Sequence, residues 1–102
     1  MNDSVYIGTD LKFFINVESS GFSQDSDDWY VVLMRGNREV KTYEKNDMLK
    51  DTEGNWFVCI ETEEFSAGVY SIKIVAKVPD DDFPDGIRTE IYKQQLMTVS
   101  RA

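Results

Sequence analysis

The chain has 102 residues and a net charge of −8, and 41% of its residues are hydrophobic. A chain of this length has room for one hydrophobic core and is predicted to form a single domain over residues 1–102. Eleven basic residues are scattered among nineteen acidic ones. They form no cluster that would bind phosphates, so neither nucleic acid nor an anionic membrane surface is an expected partner.

The chain contains one cysteine and no histidine, the two residue types on which many catalytic and metal sites depend. A single cysteine excludes an internal disulfide, and Cys59 lies in an apolar run, where it is predicted to be a small buried side chain. Ser-His-Asp triads, Cys-His pairs and histidine-bound metals are excluded. Glycine-rich phosphate-binding motifs are also absent. We therefore expect a protein that is not an enzyme and that holds no cofactor.

The first nine residues are mostly polar and are expected to form a loosely ordered lead-in. They contain no basic segment followed by an apolar stretch, so no signal peptide is predicted. No run approaches the ~20 apolar residues of a membrane span. Cytoplasmic synthesis is the expectation.

Alternating apolar and polar residues predict strands through the first half of the chain. The first begins at Leu11, where apolar residues recur at every second position as far as Val17. Trp29–Arg35 is apolar on both faces, as is typical of a central strand or of a strand whose second face is covered by another chain. Gly36-Asn37 predicts a hairpin turn, and the charged return strand from Arg38 suits a sheet edge.

The second half contains three further strands. Trp56–Thr62 and residues 69–78 both alternate, and Ile87–Val99 changes phase near Gln94-Gln95, which indicates a bulge. Six to seven strands without a long helix predict an all-β fold, namely an antiparallel β-sandwich. Gly68 and Tyr70, at the start of one strand, have the spacing of a tyrosine corner in immunoglobulin-like sandwiches, where the hydroxyl bonds to nearby backbone.

Clustered carboxylates provide a first candidate site. Closely spaced acidic residues on a loop are typical of calcium sites, which use six to eight oxygen ligands. The candidates in the loop that contains both prolines are Asp80, Asp81, Asp82 and Asp85. Asp25, Asp27 and Asp28 would add ligands if the two loops share one end of the sandwich. The spacing differs from that of an EF-hand. A solvated loop, ordered by its prolines and by an inward-pointing Phe83, is therefore favoured over calcium.

Aromatic and aliphatic residues on the two strongly apolar strands provide a second candidate. These strands hold more apolar surface than one thin core needs, and soluble monomers rarely expose large apolar patches. A partner protein or self-association is therefore expected, with four interface candidates: Trp29, Val31, Trp56 and Val58.

Four segments together resemble a known family. They are Asp10-Leu-Lys-Phe, Gly54-x-Trp-x-x-x-Ile60, Thr62-x-x-Phe-x-x-Gly-x-Tyr70 and Val78-Pro-Asp-Asp-Asp-Phe-Pro-Asp-Gly86. The chain resembles small phage- or prophage-encoded proteins with an immunoglobulin-like sandwich, similar to the N-terminal domain of baseplate upper proteins. The antibody cysteine pair is absent, and Ile72 stands two residues after Tyr70, where a cysteine would be. The resemblance implies a structural role within a virion.

Two functional hypotheses follow. The first is a non-catalytic structural module of phage type, acting through protein–protein contacts. The alternative is a carbohydrate- or calcium-binding module that uses the acidic loops.

Overall fold

A computed structural model describes residues 3–101, except for the side chains of Asp3 and Gln95, and shows eight strands in two sheets. In chain order they are β1 (Asp3–Tyr6), β2 (Asp10–Ile15), β3 (Trp29–Arg35), β4 (Arg38–Glu44), β5 (Leu49–Lys50), β6 (Trp56–Glu61), β7 (Gly68–Pro79) and β8 (Ile87–Ser100). Two single 3₁₀ turns, Lys45–Asp47 and Thr62–Glu64, are the only helical segments within this range. The all-β class is confirmed, but the strand count exceeds the predicted six to seven because β1 and β5 were not expected.

The strands divide into a five-stranded sheet, ordered β1-β8-β7-β3-β4, and a three-stranded sheet, ordered β2-β6-β5. Every pair is antiparallel except β1–β8, which is parallel and differs from the purely antiparallel prediction. Buried residues of both sheets form one core, to which the large sheet contributes Leu33 and Ile72 and the small sheet Ile15 and Ile60. The fold is therefore sandwich-like.

The expected loose lead-in is corrected for residues 3–9. Val5 and Ile7 pack against the core, and the Ile7 N–H donates to the Ser100 carbonyl at 2.8 Å. Thr62, fully buried, secures the link from β1 to β2, since its hydroxyl accepts from the Gly8 N–H at 2.9 Å and donates to the Thr9 carbonyl at 2.7 Å. Burial of two apolar side chains, with their backbone satisfied, orders this segment.

Strand β3 is central, between β7 and β4. Its outward-facing Val32 and Met34 are only 3% and 8% exposed. The register places Val32 between Thr42 and Lys73, and the Lys73 ammonium pairs with Glu39 at 3.0 Å. Long side chains of this type cover apolar neighbours with their methylene groups. The central-strand alternative is confirmed, because neighbours in the same chain bury the second face.

Three local predictions agree with the structure. Gly36 has a φ of 59°, as a tight hairpin between β3 and β4 requires. The charged strand β4 lies at a sheet edge. The pairing of β7 with β8 passes from Tyr70–Met97 to Ser71–Gln95, so that Leu96 is the extra residue of a bulge. This bulge is the phase change seen in the sequence.

Candidate functional site

The predicted interface residues are mostly core residues, which corrects that prediction. Trp29, Val31 and Val58 are at most 1% exposed and belong to the cluster between the sheets. Their strands alternate, and these positions face inward. They cannot contact a partner while the chain is folded.

Trp56 is half-buried and takes part in a polar network at one end of the sandwich. Its ring meets Trp29 edge-on with centroids 5.5 Å apart, and its indole N–H donates to Asp25 Oδ1 at 3.1 Å. Lys50 donates to the same carboxylate oxygen at 3.0 Å. These two bonds hold the pKa of Asp25 below its usual range, and the bond from Lys50 has the larger effect. Trp56 therefore fixes a loop in place.

A cleft of about 370 Å³ beside Trp56 also contains Phe14, Asn16 and Asn55. An aromatic ring next to amide groups is a typical sugar-binding surface. Here, however, the amides bond within the chain, since Asn55 donates to Asp51 at 3.2 Å and Asn16 to Glu18 at 3.2 Å. The cleft therefore offers few uncommitted polar groups for a sugar.

The two acidic loops meet at one end of the molecule, around a shallow depression of about 580 Å³ that is lined by Asp27, Asp28 and Asp85. Lys77 lies in the same depression. Asp85 accepts the Ile87 N–H at 3.0 Å. Within residues 3–101, the structure brings no three His, Cys, Asp or Glu side chains together in a metal-binding arrangement. The four calcium candidates therefore share a loop without sharing a site.

The rest of the acidic loop agrees with the predicted solvated loop except at Phe83. Asp80 binds the Arg88 guanidinium and accepts the Asp82 N–H at 3.0 Å. These bonds lower the pKa of Asp80, and the bond from the Asp82 backbone has the larger effect. Asp81 and Asp82 are exposed. Phe83, predicted to point inward, is 44% exposed, because local backbone bonds, such as that from the Phe83 N–H to the Asp80 carbonyl, close the turn without this side chain.

Arg88, Glu90 and Tyr92 form a cluster that the sequence analysis missed. Arg88 Nε donates to Glu90 Oε2 at 2.9 Å, and the Tyr92 hydroxyl donates to Glu90 Oε1 at 2.5 Å. Arg88 also reaches the Ser20 carbonyl at 3.1 Å and so ties the start of β8 to the loop after β2. The sequence signal that could have revealed this cluster is the two-residue spacing of Arg88, Glu90 and Tyr92, which places their side chains on one face of β8.

The predicted tyrosine corner is present. The Tyr70 hydroxyl donates to the Ser66 carbonyl at 2.6 Å. Gly68 lies beside the Arg35 side chain, where an added Cβ would approach Arg35 Cδ to 2.9 Å. Both residues are structural, because they fix the entry into β7.

The outer face of the three-stranded sheet carries an exposed apolar row. The register aligns Phe14 on β2 with Phe57 on β6 and Leu49 on β5. Phe14 and Leu49 are each 51% exposed, and the two phenyl rings are 5.3 Å apart. Lys12 lies over the Phe57 ring at 4.9 Å. We call Phe14, Phe57 and Leu49 the apolar row.

Cys59 lies on the same outer face and is exposed, which corrects its predicted burial. It follows Phe57 by two residues, so it points the same way, and no second layer covers that face in the described part of the chain. The pattern of β6 showed which residues share a face but not which face is covered.

Together, fold and surface define a small, two-sheet, all-β domain with an apolar row on the outer face of its smaller sheet. No helix within residues 3–101 is long and apolar enough to cross a membrane. Comparison with protein-family models, curated proteins and solved structures found no match.

Proposed function

We propose that this chain is a non-catalytic immunoglobulin-like module that works through protein–protein contacts as a subunit of a larger, phage-type assembly. The observation that carries the proposal is the apolar row, because two half-exposed large side chains flank a buried ring on one sheet face. Binding a partner on such a face is favourable, because removing apolar surface from water lowers the free energy.

The immunoglobulin-like assignment is supported by three features. The strands divide between the two sheets as five and three, the first strand runs parallel to the last, and Tyr70 bonds to the backbone four residues earlier. The phage-type role is supported by the four sequence segments named above. The proposed partner is a structural subunit of the same assembly that presents an apolar strip to the row.

The experiment compares native complexes of wild-type and variant chains. The double variant Phe14→Ser/Leu49→Ser removes the exposed ends of the apolar row. The control, Val69→Ser/Ile91→Ser, changes two apolar residues of the larger sheet that are 48% and 62% exposed. In gentle extracts of the source cells, the wild type and the control are expected to migrate in a complex far larger than the 11.8 kDa chain. The row variant is expected to migrate alone.

Migration of the wild type as a single chain, or an unchanged complex with the row variant, would contradict the proposal. Melting temperatures of all three proteins show whether the variants remain folded. For the phage-type role, wild-type protein is expected in gradient-purified virus particles.

The alternative, a carbohydrate- or calcium-binding module, has one observation in its favour: both acidic loops border one depression. We disfavour it because Asp80 and Asp85 already bind groups within the chain. A melting temperature that rises with calcium, or a sugar retained by a glycan array, would support this alternative over the first.

A further inference from the structure

The open edges of the two sheets differ in how well they are protected. Strand β5 has two residues, β1 has four, and β4 carries four charged residues and a bulge against β3. Strand β2, Asp10–Ile15, has six residues, contains no glycine or proline, and pairs regularly with β6. Short, charged or bulged edges resist further pairing. Within the described residues, β2 is therefore the edge most open to another strand.

The pattern of hydrogen bonds between β2 and β6 shows which backbone groups of β2 point toward the open edge. The Thr62 N–H donates to the Thr9 carbonyl at 3.2 Å, and this register continues along β2. In an antiparallel ladder, alternate residues bond to the same neighbour. Leu11, Phe13 and Ile15 therefore bond to β6. The N–H and C=O groups of Asp10, Lys12 and Phe14 point outward.

We propose that β2 pairs antiparallel with β2 of a second copy of this chain, with the two-fold axis at Phe13. This inference rests on the proposed function, because it names one of the protein contacts. The result is a six-stranded sheet that runs continuously through two copies. It places their two apolar rows on the same outer face.

The side chains and the number of paired residues select this register among four. A two-fold axis at Lys12 sets two lysines opposite each other, which is destabilising. An axis at Leu11 pairs only residues 10–12, and an axis at Phe14 pairs only residues 13–15. An axis at Phe13 pairs the two Phe13 side chains and sets each Lys12 against Phe14 of the other copy. The resulting cation–π and aromatic contacts are favourable.

The exposure of β2 agrees with this pairing. Leu11 and Phe13 face the core side but are only partly buried, and Phe14 is 51% exposed. In the Phe13 register, Leu11 meets Ile15 of the second copy, so each of these side chains gains a neighbour.

The first test uses the purified chain and removes one outward-pointing donor. Lys12→Pro lacks the N–H that would bond to the second copy, and its ladder to β6 is unchanged because that N–H points away. Lys12→Ala is the matched control, since it loses the same side chain and keeps the N–H. Sedimentation across a wide concentration range gives the dimer Kd.

We expect a wild-type dimer, and we expect Lys12→Pro to raise the Kd at least about tenfold above that of Lys12→Ala, because two backbone hydrogen bonds are lost per dimer. A monomeric wild type at all concentrations, or equal Kd values for the two variants, would overturn the pairing.

The second test does not depend on a proline variant. In a Cys59→Ser background, Phe13→Cys places two thiols opposite each other in a non-hydrogen-bonded pair, with Cβ atoms about 4.5–5.5 Å apart. We expect oxidation to give a disulfide-linked dimer. Leu11→Cys is the control and is expected to stay unlinked. Linkage through Leu11→Cys alone would overturn the register.

The two proposals fail in different ways. A purified monomer that still enters the native complex rejects β2 pairing and retains the proposed function. If the purified chain is a dimer but no larger native complex is detected, the β2 pairing stands and docking through the apolar row is rejected.

Discussion

Two buried tyrosines differ in what their hydroxyl groups contact. The Tyr70 hydroxyl donates to the Ser66 carbonyl at 2.6 Å. The Tyr43 hydroxyl has no hydrogen-bond partner in the described part of the chain, and burial is the main cause that raises the pKa of Tyr43 to about 12. A satisfied hydroxyl stabilises the fold, whereas an unsatisfied one costs free energy.

At the residue scale, this difference predicts opposite effects for one chemical change. Tyr70→Phe should lower the free energy of unfolding by about 1–2 kcal/mol, because the Ser66 carbonyl loses its donor. Tyr43→Phe should leave it unchanged or raise it. Urea unfolding, followed by circular dichroism, measures both. Equal losses in the two variants would contradict this account of the hydroxyl groups.

At the scale of the element, alternation along a strand decides which substitutions the fold tolerates. Val31 on β3 is fully buried between the sheets, whereas Val69 on β7 is 48% exposed. Val31→Asp should unfold the chain at room temperature, since an unpaired charge in the core costs more than about 4 kcal/mol.

Val69→Asp is the matched control and should change the free energy of unfolding by no more than about 0.5 kcal/mol. Far-ultraviolet circular dichroism of both variants at 25 °C distinguishes them. A folded Val31→Asp variant would show that β3 can shift its inward face.

At the scale of the whole molecule, Glu90 links the β7–β8 hairpin to the loop after β2. Side-chain hydrogen bonds lower the pKa of Glu90 from 4.5 to about 2. The bond with the Tyr92 hydroxyl has the largest effect, followed by those with Ser19 and Arg88. A carboxyl whose pKa is lower in the folded state stabilises the fold above its unfolded pKa and loses this contribution as the pH falls. The loss should therefore occur between about pH 4.5 and about pH 2.

The free energy of unfolding, measured from pH 7 to pH 2, tests this link. Glu90→Gln should be less stable than the wild type at pH 7, and the difference should shrink as the pH falls. Asp25, Asp51 and Asp80 also have lowered pKa values. The difference between the two curves, rather than the wild-type curve alone, is therefore the measure of Glu90. Parallel curves would contradict it.

Local signals in the sequence predicted much of the fold. Period-two alternation placed β2, β6 and β7, an apolar run placed β3, and the phase change near Gln94 marked the bulge at Leu96. Gly68 and Tyr70 predicted the hydrogen bond at the start of β7. In each case the signal and the structure lie within one strand or one turn.

The candidate site was predicted less well. Trp29, Val31 and Val58 were expected at an interface and lie in the core, whereas Cys59 was expected in the core and is exposed. The sequence pattern placed Val58 and Cys59 on opposite faces correctly, although β3, which contains Trp29 and Val31, is apolar on both faces. It could not tell which face of each strand the second sheet covers.

By itself, the sequence determined the all-β class and indicated the edge position of β4, because strand propensity and alternation depend on neighbouring residues. It left β3 either central or covered by another chain, and the structure decided for the central position. Only the tertiary structure decided that the first strand pairs with the last and that Phe14, Phe57 and Leu49 align in one row. It also decided that β2 keeps an open edge. These features depend on contacts between distant segments, which the packing of the complete core selects.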